Sequence, residues 1–197
     1  MLTEDMAPYY EFLLADPAIA AHVPRDESLI QSIRAKNVAE LERLDAARKQ
    51  AEENDGDLEL HTVLKQRAMY LARIGDKEAA LPAIEEAVEK AQGSGTKIDL
   101  TLLKIRVGLF YGDTDLTETN MAKAATLIEE GGDWDRRNRL TAYRGVYCAS
   151  IRHFSESSKL LKEALSTFTA TEVIEYKDFV ELTILMGMVT LSRRELK

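Results

Sequence analysis

Between residues 68 and 87 this chain places small side chains where two antiparallel helices would have to touch. Ala68 stands in one helical segment and Gly75-Asp76 follows as a turn. Ala80, Ile84 and Ala87 then recur four and three residues apart. Small residues let two helix backbones approach closely, and a glycine can end the first helix in the left-handed conformation. A bulky Ile between two Ala residues fills the seam. The pattern commits this segment to a helical hairpin of the tetratricopeptide type. Pro82 falls inside the second helix, read here as near its start, where a missing N–H costs least.

Two looser copies follow. In the second, Thr96 and Asp99 read as a capping box that opens a helix. Gly108 takes the small position, Tyr111 follows, and a stretched turn over residues 112–117 precedes Ala124 and Ile128. The third runs from Asp135, with Gly145, Phe154, Ser157, Leu161 and Ala164 in the pattern. The anchors Ala68, Gly108 and Gly145 are 40 and 37 residues apart, more than the strict period of roughly 34. A last helix is expected from about Glu172 to the end, carrying Val173, Phe179, Leu182, Leu185, Met186 and Val189. No Gly or Pro stop follows it, so it reads as cut. No repeat covers its apolar face alone; stacked neighbours supply the core. The expected fold is all-α, a right-handed superhelix of tetratricopeptide-like hairpins over residues 57–197.

Residues 1–56 read as an N-terminal arm or cap. Tyr9 to Ala15 can form a short helix, and residues 17–25, with two prolines, read as a loop. From Asp26, the positions Ile30, Ile33, Asn37, Leu41 and Leu44 form one helical face. That helix is expected to end at Asn54-Asp55-Gly56. Its opposite face is charged, which suits either a solvated surface or an acidic docking arm. Residues 1–60 carry 14 acidic and 6 basic side chains, the whole of the net −8; residues 61–197 carry 20 of each. Such a balance argues against a nucleic-acid partner. The longest apolar run near the end, Ile184 to Val189, is far too short to span a bilayer.

His22, His61 and His153 are scattered, and the one cysteine, Cys148, lies among Val146, Ala149 and Ile151 as a buried structural thiol. No metal or cofactor is expected, and the single thiol suits a reducing compartment. Gly93-Ser94-Gly95-Thr96-Lys97 lacks the order of a phosphate loop and reads as a turn between helices. A clamp for a client's terminal carboxylate would need Lys and Asn on the inner helix faces. Lys65 could serve, but Met69, Arg106 and Tyr143 occupy the matching places.

One stretch stands apart. Glu129 to Leu140 holds seven charged residues, two glycines and the only tryptophan. Gly131-Gly132 can end a helix in the left-handed conformation, and Asp133 or Asp135 can cap the next. Arg136, Arg137 and Arg139 would then sit in its first turns, where the helix dipole disfavours cations. They need carboxylate partners, and Glu129 and Glu130 are the local candidates. Trp134 is expected either packed over this corner or, with these charges, as a protein-contact site.

Several blocks together resemble one family. They are MAPYYEFL (Met6 to Leu13), YLARIGDKEAAL (Tyr70 to Leu81), GLFYGDTDL (Gly108 to Leu116), IEEGGDWDRRNRL (Ile128 to Leu140) and STFTATEVIEYKDFV (Ser166 to Val180). The chain is similar over nearly its whole length to the non-ATPase lid-subunit family of the 26S proteasome, numbered six in mammals and seven in yeast. The resemblance implies a non-catalytic scaffold acting in ATP-dependent degradation of ubiquitinated proteins. It implies helical repeats followed by a winged-helix PCI domain, which this sequence is expected to lack. Implied partners are other lid subunits, the ATPase ring and the small acidic lid protein, in cytoplasm and nucleus. Alone, the chain is expected to be monomeric. The rival resemblances are subunit one of the signalosome, which acts on cullins, and a generic tetratricopeptide adaptor.

Overall fold

The computed structural model describes residues 4–23, 25–54 and 56–195. Among them the regular structure is helical throughout, with no strand. The chain divides into two compact units, Met1–Gln92 and Gly93–Lys197.

The first unit contains α1 (Ala7–Leu14), α2 (Pro17–Ala20), α3 (Glu27–Glu53), α4 (Asp57–Arg73) and α5 (Lys77–Glu89). α2 is one turn of helix inside the stretch expected to be loop. Asp16 caps it by accepting the Ala18 N–H at 2.8 Å, and Pro17 at its first position loses no helical bond. Asp26, where the sequence places the start of this helix, caps α3 through the Leu29 N–H. Ile30, Ile33, Asn37 and Leu44 are buried on α3, and Leu41 is half-buried. Burial of each large apolar side chain contributes roughly 1.5–3 kcal/mol before the entropy of ordering is charged. Asn37 is a buried polar residue on that face. Its amide donates to the Asp5 carbonyl and the Tyr70 hydroxyl, both at 3.0 Å, tying α3 to α4. Arg48 joins α3 to α5 by pairing with Glu52 and Glu86. α3 ends with Asn54 as its C-terminal flank; Asp55, part of the expected stop, lies outside the described residues.

Three hairpins repeat one corner. Gly75, Gly112 and Arg152 have φ of +74°, +65° and +65°. After each, the next N–H bonds back to the carbonyl five residues earlier: Asp76 to Leu71, Asp113 to Gly108, His153 to Cys148. This closes the first helix in a Schellman-type turn. Counting from the left-handed residue, position five is Ala80, Thr117 or Ser157, position nine Ile84, Met121 or Leu161, and position twelve Ala87, Ala124 or Ala164; all are buried. Small, bulky, small is therefore the seam of every hairpin.

That frame corrects the expected second copy. The turn is not stretched; Gly112-Asp113 is as tight as Gly75-Asp76, with Asp113 capping α7 through the Leu116 N–H. Ile105, seven residues before the corner, is the counterpart of Ala68 and Gly145, so the spacing runs 37 then 40. Gly108 is nonetheless a contact glycine: a Cβ there would lie 2.4 Å from Thr117 Oγ1. Pro82 is also deeper than expected. It is the sixth residue of α5, past the turn whose N–H groups have no helical partner, so it removes a bond from the helix interior.

The second unit contains α6 (Ser94–Tyr111), α7 (Thr114–Gly131), α8 (Trp134–Ser150), α9 (Phe154–Leu165) and α10 (Tyr176–Thr190). Its core joins Ile98, Leu102, Ile105, Met121, Leu140, Tyr143, Leu161 and Phe179. The loop before α10 supplies buried Ala170 and half-buried Phe168, whose ring sits 4.4 Å from that of Phe179. α10 begins at Tyr176 rather than Glu172, so Val173 packs from the loop. Phe179, Thr183, Met186 and Gly187 bury one side of α10, while Ile184, Leu185, Met188 and Val189 are exposed. No described helix is long and apolar enough to cross a membrane.

Candidate interaction site at the α7–α8 corner

Gly132 makes this corner possible, by a different route from the one expected. Its backbone is extended (φ −77°, ψ 146°), not left-handed. A Cβ on it would meet the Ile128 Cα at 2.7 Å, so any side chain would push the chain off the end of α7. Asp133 then caps α8 by accepting the Arg136 N–H at 2.9 Å. That bond, with the Arg136 guanidinium, holds the Asp133 carboxyl below its ordinary value.

Arg136, Arg139 and Tyr143 share one face of α8 by their spacing of three and four. Arg136 grips Asp99 of α6 with two bonds, Nε to Oδ1 at 3.1 Å and Nη2 to Oδ2 at 2.8 Å, and also pairs with Asp133. Arg139 donates to Asp99 Oδ1 at 3.0 Å, and its Nε and Nη2 reach Glu172 Oε1 at 2.9 and 2.6 Å. Glu172 Oε1 also accepts the Tyr143 hydroxyl at 2.8 Å. Burial raises the Tyr143 phenol well above its ordinary value, so it remains a donor. Burial pushes the Glu172 carboxyl up too, but its own backbone N–H, Arg139 and Tyr143 outweigh that and leave it lowered. Stability from a lowered carboxyl is present above its unfolded value, near 4.5 for Glu172, and is lost as pH falls through the folded value.

The expected partners were therefore wrong. Glu129 and Glu130 are exposed and enter no ion pair among the described residues. Their place is taken by Asp99 and Glu172, which lie 37 and 33 residues from Arg136 and Arg139. Asp99 is not part of a capping box: α6 starts at Ser94, two residues before Thr96, with Gly93 ahead of it. Asp99 and Arg139 each stand thirteen residues before their hairpin's corner, at Gly112 and Arg152. Opposite charge at matched places of successive hairpins was the signal available in the sequence. Gly95 helps as well, since a Cβ there would lie 2.9 Å from the Arg136 guanidinium carbon.

Trp134 is not packed over the corner. It is the first residue of α8 and is 65% exposed. Around it Glu129, Glu130, Asp135 and Arg137 are exposed. The arginine face of α8 is thus turned into the fold, and the indole is turned out of it.

The remaining candidates of the sequence have ordinary environments. Cys148 is buried, and burial raises its thiol. His61 is buried with Nε2 accepting the Gln92 N–H at 2.8 Å. Burial and a 2.7 Å hydrogen bond to Glu118 push the Tyr147 phenol up to about 12. Among the described residues, no three His, Cys, Asp or Glu side chains converge as a metal site.

A family model described as 26S proteasome subunit RPN7 matches residues 26–197. The chain belongs to the RPN7 family. Curated relatives agree. The 26S proteasome non-ATPase regulatory subunit 6 homolog of Arabidopsis thaliana is 40% identical over 98% of this chain and 49% of its own length. The 26S proteasome regulatory subunit rpn7 of Schizosaccharomyces pombe is 37% identical, again over 98% of this chain and 49% of its own. The Saccharomyces cerevisiae 26S proteasome regulatory subunit RPN7 is 32% identical over the same shares. The RPN7-family chain described here thus spans about half the length of these relatives. The whole α7–α8 corner, from Glu129 to Glu172, falls within the matched family region.

Proposed function

We propose that this RPN7-family chain is a non-catalytic scaffold of the 26S proteasome regulatory particle lid. It serves ATP-dependent degradation of ubiquitinated proteins through protein contacts alone. The observation that carries this reading is the 40% identity, across 98% of the chain, to a protein named as a 26S proteasome regulatory subunit. The geometry supports a structural role, since the densest charged cluster spends its donors on its own carboxylates. Residues 1–56 act as a cap, and residues 57–197 act as a right-handed array of hairpins that presents surface to neighbours. Those neighbours are other lid subunits, the ATPase ring and the small acidic lid protein, in cytoplasm and nucleus. Trp134, Glu129, Glu130 and Arg137 form a contact surface, with Arg136 and Arg139 holding it in place.

Affinity purification of the tagged chain from cells, read by mass spectrometry, tests this. Recovery of proteasome lid and ATPase subunits is expected. Recovery of signalosome subunits alone would move the chain to the rival assembly, and recovery of neither would remove the scaffold reading.

A further inference from the structure

The exposed charges at the α7–α8 corner carry a sign. Glu129 and Glu130 stand in the last turn of α7, where the unpaired carbonyls already make the helix end negative. Carboxylates there oppose the helix dipole, and neither enters an ion pair among the described residues: Arg136 and Arg139 are committed to Asp99, Asp133 and Glu172. Asp135 adds a third carboxylate with no ion pair among the described residues, and Arg137 is the exposed base of this stretch. The fold therefore keeps uncompensated negative charge around its most exposed large aromatic ring in the second unit, Trp134. The support beneath is rigid. The Gly132 N–H bonds to the Ile128 carbonyl at 2.9 Å, and Arg136 is held from two sides, so the ring is presented at little further entropic cost.

We propose that this corner docks a cationic protein surface: an apolar pocket that takes the Trp134 ring, rimmed by Lys or Arg that face Glu129, Glu130 and Asp135. Complementary charge steers encounter and selects the partner, while the buried indole supplies the main binding energy. Arg137 lies on this rim with the wrong sign for such a partner. Arg136 and Arg139 are positioning residues that touch no partner. The inference rests on the scaffold reading above and names the chemistry of the neighbour at this one surface.

The test is equilibrium binding of the purified chain to purified 26S regulatory particle from cells depleted of their own copy of this subunit, with thermal melts of every variant. Trp134→Ala is expected to weaken binding by about 30-fold or more, as for a central anchor, with the melting temperature unchanged. The double change Glu129→Lys with Glu130→Lys is expected to weaken binding at low salt while the melting temperature holds or rises, because it relieves the clash with the helix dipole. Arg137→Glu is expected to tighten binding. Tighter binding of the Lys double variant, weaker binding of Arg137→Glu, or unchanged binding of Trp134→Ala would each overturn the docking proposal and leave the scaffold reading standing. Failure of the unsubstituted chain to bind would overturn both.

Discussion

The corners at Gly75 and Arg152 share a backbone and differ in how they are supported. Both place one residue in the left-handed region and bond the next N–H to a carbonyl five residues back. At the first, glycine adopts that conformation without strain, and Asp76 caps the following helix through the Ala79 N–H. At the third, an arginine occupies it, and His153 makes no side-chain cap. The third hairpin is supported further down the seam. Gly145 lets the helices close, and the Ser157 hydroxyl donates to the Gly145 carbonyl at 2.9 Å. In the first hairpin the matching residues are Ala68 and Ala80, which pack without a polar bond. The same turn can thus be held by its own residues or by the contact it leads into.

Substitutions can break this comparison. Gly145→Glu should have the largest effect. Its Cβ alone would lie 2.7 Å from Leu161 Cδ2, in a seam with no room for charge, so a loss of about 3 kcal/mol or more is expected. A melting temperature equal to that of the parent would falsify the assigned seam. Gly75→Ala against Gly112→Ala comes next. Both have positive φ, but a Cβ at Gly75 meets the Tyr9 Cβ at 2.7 Å, whereas at Gly112 nothing lies within 4 Å. We expect about 1 kcal/mol at Gly112 from the left-handed backbone, and roughly twice that or more at Gly75. Equal losses in denaturant melts would mean that α1 does not press on the first corner. His153→Asp should restore the missing cap and stabilise by about 0.5–1 kcal/mol. Arg152→Gly relieves the left-handed arginine but loosens the unfolded chain, leaving a net gain of a few tenths of a kcal/mol, up to about 1. If these last two changes destabilise, the third corner does not need the help that the first one has.

The hairpins were legible because their determinants are local: a small residue, a turn, and an apolar period of three and four. Ala68, Gly75, Ala80, Ile84 and Ala87 all fall where the pattern places them. The second copy misled because Gly108 is small for a contact nearer the turn, while the true counterpart is Ile105. The α7–α8 corner was half legible. A glycine stop and an Asp133 cap depend on neighbours in sequence; the cap is present as expected, and the glycine stop is present in an extended rather than a left-handed conformation. The arginine partners depend on which helices lie side by side, and a flexible guanidinium reaches past near carboxylates to distant ones. Local reading favoured Glu129 and Glu130; the fold chose Asp99 and Glu172. Of the two expectations for Trp134, packing over the corner fails for a related reason. Tryptophan's usual burial is a statistical habit, and at the first position of α8 no described element covers Trp134.

α10 has consequences at the bench. With Met186 and Phe179 turned inward and Ile184, Leu185, Met188 and Val189 facing water, this helix is apolar on two sides. A purified preparation of these 197 residues will carry a greasy strip along α10. It should adhere to hydrophobic resins and plastic, and favour low concentration or mild detergent during storage.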